Sequence, residues 1–292
     1  MFEIGFTYRH EYYDSIVAHA DQIDYLEIIP DGLDLGDGSA NSARIKDLRR
    51  RLPFSAHSIE LSVASWNDEE FLVRLEAIVA FLIELEVTHY SDHLAYTRAG
   101  AYNCDAYIPP LFGIEPVDNV ASRCAAIIRR LSEIGAAFSL ENVANTAMAD
   151  PLAIGLEGAF MRELSDRTGI GYILNIDSLL ISASALGIPP QQLLATYPVN
   201  RIETVTIVPA DAMNVVMNQQ YGILVEREAL NVFEEALNLI NPSRVVIQVR
   251  YPHNTLDTQL PYIDRLKSIR AKLESGLANG SPLNQEKFHA AE

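Results

Sequence analysis

Seven polar residues stand at the ends of otherwise apolar runs, and their types suit metal or acid–base chemistry. They are His57 in FSAHSIELS, Asp92 and His93 in HYSDHLAY, Glu141 and Asn142 in FSLENVAN, and Asn175 and Asp177 in YILNIDSLL. Two imidazoles and a carboxylate are what a 2-His-1-carboxylate metal site requires: neutral nitrogen donors, one anion, and open positions for water, dioxygen or substrate. His57, His93 and Glu141 would be the ligands. Asp92, Asn142, Asn175 and Asp177 would then hold those ligands, act on substrate, or serve a second metal. Each residue alone has a plainer reading, since a single strand histidine is commonly a hydrogen-bonded core group and a buried Glu141 could pair with an arginine. Together they favour a shared site, because several polar groups at equivalent strand ends are expensive to bury without a joint purpose.

The elements that must position them alternate along the chain. Short β-rich runs fall at Phe2–Thr7, Tyr25–Ile29, Phe54–Leu61, His89–Tyr96, Ala137–Val143, Tyr172–Ile176, Thr204–Val208 and Val245–Val249. Segments of helical spacing lie between them: Asp68–Glu86, Val120–Ile134, Ala159–Arg167, Arg227–Leu239 and Pro261–Leu273, with Asn67-Asp68 as a cap and Pro261 suited to a first turn. Eight strand-then-helix units predict a single-domain α/β fold, a (β/α)8 TIM barrel over residues 1–274, with 275–292 as a flexible polar tail. The active end of such a barrel is where its strands finish, and the seven residues sit there. An open doubly wound sheet is the alternative, but no GxGxxG or GxxxxGK[ST] turn follows any run.

Composition narrows the partners. With 22 Lys and Arg against 39 Asp and Glu, the 292 residues carry a net charge of −17, a poor basis for gripping nucleic acid or an anionic membrane surface. Hydrophobic residues at 49% and charged residues at 21% suffice for a sizeable core. The two cysteines, Cys104 and Cys124, are too few for a disulfide framework and read as reduced. The N-terminus has no signal-peptide pattern and no run is long enough to span a bilayer, so a cytoplasmic protein is expected. Tyr96, Tyr102 and Tyr107 surround a loop with Pro109-Pro110 that would make a lid, and Trp66 reads as loop packing.

The strand-end phrases DYLEIIP, FSAHSIELSVAS, YSDHLAYT, LENVANT and LNIDSLLISASALG resemble the multinuclear non-haem iron-dependent oxidases, which include the oxidase of methanobactin biosynthesis. Over roughly Phe2–Ile188 the resemblance implies a TIM barrel holding two or three irons, with dioxygen-dependent modification of peptides, commonly at cysteine, and a partner protein that presents the peptide. It carries His57, His93 and Glu141 onto iron ligands, with Asp92 and Asn142 beside them. The pattern then departs. Asn175 stands where the family has an aspartate ligand, with Asp177 two residues later where the family has asparagine. A His-rich phrase would fall on Thr204–Pro209 and an Asp-x-His phrase near Asn218–Gln220, and neither keeps its ligands. The late Glu aligns with Gln248, followed by Arg250 where an acid often stands. Each change replaces a strong donor by a neutral group or a cation.

The expected function is therefore a dioxygen-dependent oxidase with one non-haem iron, modifying a peptide or amino-acid-like substrate in natural-product biosynthesis, with a leader-peptide-binding partner. Asp92, Asn142, Asp177 and Arg250 would be catalytic, and Glu27, Tyr96, Asn175, Arg250 and His253 would meet the substrate, Arg250 through a bidentate carboxylate contact. Two alternatives stay open: a divalent-metal isomerase, lyase or hydrolase with Asp177 or Glu27 as general base, and a metal-free barrel serving as a scaffold.

Overall fold

The computed structural model describes residues 1–278 apart from 32, 34–38, 60, 66–68, 100–101, 113–116, 146–154, 210–228 and 250–254. Eight parallel strands close into a barrel in the order β1 (Glu3–Thr7), β2 (Tyr25–Ile28), β3 (Phe54–His57), β4 (His89–His93), β7 (Ala137–Glu141), β8 (Gly171–Asn175), β9 (Ile202–Ile207) and β10 (Arg244–Ile247), which returns to β1. All eight expected runs are barrel strands. The remaining pair, β5 (Tyr96–Ala99) and β6 (Tyr102–Ile108), forms an antiparallel hairpin between β4 and the next helix, in the stretch expected to be a loop.

Helices follow the strands as parallel connections demand. The clearest is Phe71–Glu84, which buries the stripe Phe71, Leu75, Ile78, Val79 and Leu82; Asp118–Ser132 buries Val120, Cys124, Ile127 and Leu131. Both described cysteines are free thiols. Helices at Ala40–Arg49 and Ile176–Leu186 lie where the spacing predicts none. The final helix, Leu256–Ala278, starts earlier than expected, so Pro261 lies inside it rather than in its first turn, and Ser275–Ala278 are helical rather than tail. The Asn67-Asp68 cap and Trp66 lie outside the described residues, as do Asn218, Gln220, Arg250 and His253. No helix among the described residues is long and apolar enough to cross a membrane.

Register decides which side chains enter the barrel. Neighbouring strands pair Gly5 with Tyr25, Thr7 with Glu27, Glu27 with Ser55, His57 with Ser91, His93 with Glu141, Glu141 with Ile173, Asn175 with Thr206, and Gly5 with Val246. Paired residues share a face and alternate residues share it along a strand. The inner face therefore carries Thr7, Glu27, Ser55, His57, Ser91, His93, Ser139, Glu141, Asn175, Thr204, Thr206 and Gln248. This interior is far more polar than the branched aliphatic filling usual in such barrels. Gly5 is required there: a Cβ at this position would lie 2.2 Å from Cζ of Tyr25, whose buried ring shares the inner face. The outer face is apolar and packs under the helices, with Ile4, Phe6, Leu26, Ile28, Leu140, Leu174, Val205, Val245 and Ile247 buried.

Candidate metal centre

His57 ends β3, His93 ends β4 and Glu141 ends β7, three consecutive strands around the barrel, so their side chains converge on its axis at the C-terminal end. All three are almost fully buried. The two Nε2 atoms stand 3.4 Å apart, His57 Nε2 is 3.8 Å from Glu141 Oε2, and His93 Nε2 is 3.8 Å from Glu141 Oε1. One donor atom from each residue lies within 4.8 Å of the others. Donors about 2.1 Å from a common ion and spread at tetrahedral angles are about 3.4 Å apart, so this triangle suits one divalent metal.

The tautomer suits it as well. Ser91, two residues before His93 and on the same face, donates its hydroxyl to the Ala56 carbonyl at 3.3 Å. Its oxygen also lies 2.9 Å from His57 Nδ1, so it is placed to accept a ring N–H there, the tautomer that would leave the His57 lone pair on Nε2, facing the centre. Burial also lowers the His57 pKa below its ordinary value, which keeps the ring neutral as a ligand must be.

Glu141 is held by neutral donors. Asn175 Nδ2 donates to Oε1 at 2.7 Å and Thr206 Oγ1 donates to Oε2 at 3.3 Å. The other end of the Asn175 amide is also engaged, since Oδ1 accepts the Ser178 backbone N–H at 3.0 Å and caps the helix Ile176–Leu186. Asn142 fixes Asn175 in turn, accepting the Asn175 N–H on Oδ1 at 2.7 Å. These two asparagines thus act as one clasp from β7 to β8. Asp177, half-buried in the first turn of the capped helix, lies outside the three-residue cluster, where its charge complements the helix dipole.

Asp92 is placed differently from the expectation that it acts on substrate. It follows Ser91 and precedes His93 on β4, so alternation turns it to the outer face. There it is fully buried and accepts the backbone N–H of Leu61 at 3.1 Å and of His93 at 2.6 Å. Burial, reinforced by the negative charge of Asp31, pushes its pKa well up, against the pull of those two amides. Glu27 does enter the barrel, below the cluster, where it accepts Thr7 Oγ1 at 3.2 Å and Gln248 Nε2 at 3.4 Å. Its pKa is raised by burial, with His57 pulling down and Glu141 pushing up. Gln248, expected at a lost ligand position, is a hydrogen-bond donor to this acid.

The hairpin reaches over the centre. The Tyr107 ring stacks on His93 with centroids 4.1 Å apart and planes at 19°, while the residue stays 45% exposed. Tyr96 begins β5, half-buried against the core. Sequence reasoning does not reach the roles of Ser91 and Thr206 or the clamping by Asn175; the signal available was parity, which puts 91 with 93 and 206 with 204 on one face.

Residues 3–271 match the family described as RiPP precursor modification enzyme MbnB/TglH/ChrH. The UPF0276 protein of Rhizorhabdus wittichii is 25% identical over 228 residues, covering 77% of this chain and 79% of that one. The UPF0276 protein of Acaryochloris marina is 22% identical over 283 residues, 96% of each chain. Among solved structures, a D-tagatose 3-epimerase-like protein superposes with a TM-score of 0.57 at 15% identity, covering 93% of this chain and all of that one, a likeness of fold alone. With a match over nearly its whole length and the family's strand-end phrases gathered at one barrel mouth, this chain belongs to the MbnB/TglH/ChrH family of RiPP precursor modification enzymes.

Proposed function

We propose that the protein oxidises a ribosomally made peptide, or an amino-acid-like substrate, at one non-haem iron held by His57, His93 and Glu141. The observation that carries this reading is the convergence of two imidazole Nε2 atoms and one carboxylate at 3.4–3.8 Å, with the Ser91 hydroxyl 2.9 Å from the far nitrogen of His57. The chemistry an iron supplies in such a site is activation of dioxygen at open coordination positions beside a bound substrate.

The chain's own residues do the rest. Ser91 keeps His57 in the ligating tautomer, the Asn142–Asn175 clasp and Thr206 orient Glu141, and Tyr107 screens His93 from solvent. Asp92 acts by positioning, through the backbone N–H groups of His93 and Leu61. Among the described residues, Glu141 and Glu27 meet neutral donors from Asn175, Thr206 and Gln248 where additional cations would need more anionic ones, which supports one ion over several. Arg250 remains the proposed contact to a substrate carboxylate, and His253 a proposed substrate-binding residue. A partner presenting the leader of the precursor peptide, in the cytoplasm, belongs to the same reading.

Metal analysis of protein purified without chelator tests it. The expected result is about one iron per chain, lost in His93→Ala and kept in Gln248→Ala. Zinc or manganese instead would favour a hydrolase or isomerase, and no metal above trace a scaffold. Full iron occupancy in both variants overturns the ligand assignment.

A further inference from the structure

Beneath the metal site, on the barrel axis, lies a cavity of about 20 Å³ whose lining includes Glu27, Ser55, Ser91 and Ser139. A space needs roughly 10–15 Å³ on this measure to hold a water, and a water needs polar partners. Both conditions are met here. Ser55 Oγ is buried, on a residue only 8% exposed, and has no hydrogen-bond partner within the protein. A buried hydroxyl left in that state costs about 1–3 kcal/mol, and native structures satisfy almost all such groups. At its other end the cavity is lined by His89 and Arg244, the first residues of β4 and β10, and His89 is exposed on the N-terminal face of the barrel.

We propose that this cavity binds one internal water, which bridges Ser55 to Glu27 and links Glu27 to solvent on the N-terminal face, so that protons reach the underside of the metal site without crossing its substrate side. The proposal rests on the oxidase reading only for its use: reduction of dioxygen consumes protons, and a peptide bound at the C-terminal mouth would restrict water from that side. Transfer makes and breaks only O–H bonds. As the water passes a proton to a Glu27 carboxylate oxygen, it takes one from the next water at the mouth, and no oxidant, reductant or leaving group is involved. The burial that raises the Glu27 pKa suits it to holding such a proton.

The test uses metal-free full-length protein without substrate, so its outcome is independent of which metal or reaction the site supports. Ser55→Val fills the cavity with methyl groups; Ser55→Ala leaves room for the water and controls for loss of the hydroxyl, with circular dichroism confirming the fold of each. High-resolution crystal structures should show a water between Ser55 Oγ and Glu27 in the wild type, a water retained in Ser55→Ala, and none in Ser55→Val. In infrared spectra, the carboxyl C=O band of Glu27, identified by its absence in Glu27→Gln, should shift on mixing with D2O immediately in the wild type and Ser55→Ala. In Ser55→Val the shift should slow by about tenfold or more, because exchange must then wait for local opening. A dry cavity in the wild type, no Glu27 C=O band, or equally fast deuteration in Ser55→Val overturns the proposal.

Discussion

Removing the Ser91 hydroxyl separates metal affinity from fold stability. In Ser91→Ala the His57 Nδ1–H loses its partner at 2.9 Å inside a fully buried setting. An unsatisfied buried donor would cost about 1–3 kcal/mol if it had no escape. The imidazole does have one. In the metal-free protein it can move its proton to Nε2, where Glu141 Oε2 lies 3.8 Å away and His93 Nε2 3.4 Å away. The fold then keeps most of its stability, but the lone pair has left the centre. Binding a metal requires reversing that change, so the cost reappears in the binding constant. Losing a partner of this kind typically weakens metal affinity 10–100-fold, which is about 1.4–2.7 kcal/mol. Competition titration with a calibrated chelator should show that loss in Ser91→Ala. Urea denaturation of the metal-free protein should show a smaller change, and Ser91→Thr should restore most of the affinity. The 15N shift of His57 Nδ1 would report the tautomer directly. Equal metal affinities in wild type and Ser91→Ala would refute the assignment of Ser91 as the group that aims His57.

Other perturbations probe the remaining supports. Asn175→Asp keeps an oxygen to cap the helix but sets a second carboxylate about 2.7 Å from Glu141, so the metal-free protein should lose about 1–3 kcal/mol at neutral pH and regain it when acid protonates the pair; unchanged urea stability would contradict the clamp. Glu157 is buried and its pKa is raised from 4.5 to about 7, chiefly by desolvation. A raised acid favours folding fully only below its unfolded pKa, so this residue should erode stability as pH rises from 4.5 to about 7. Glu157→Gln should therefore stabilise the protein above that window, by at most about 3 kcal/mol, and leave it unchanged below; denaturation curves on both sides decide. Gly5→Ala, whose new Cβ would sit 2.2 Å from Tyr25 Cζ, should cost about 1–3 kcal/mol by forcing the buried ring aside, and a neutral result would mean that the barrel base has slack.

Much of this protein is written locally. The eight barrel strands are legible because each is a short β-rich run, apolar on its outer face, followed by a helix or turn signal. Placing His57, His93 and Glu141 together needs only the rule that consecutive parallel strands finish at the same end. At Asp92 motif and period part: its motif groups it with the site, but between Ser91 and His93 on one strand it must face away from both. The hairpin Tyr96–Ile108 escapes such reading because its aromatic residues look like loop packing, and a two-stranded ribbon draws stability from leaning on the barrel. What only the tertiary structure decided is the pairing across strands. No spacing says that an amide at 175 meets a carboxylate at 141 while capping a helix, that a hydroxyl at 91 chooses the tautomer at 57, or that Gln248 closes on Glu27 from the far end of the chain. Those contacts depend on barrel closure and strand register, which join residues from 34 to 221 positions apart, and hydrogen-bond geometry is sensitive to tenths of an ångström that sequence periodicity does not encode.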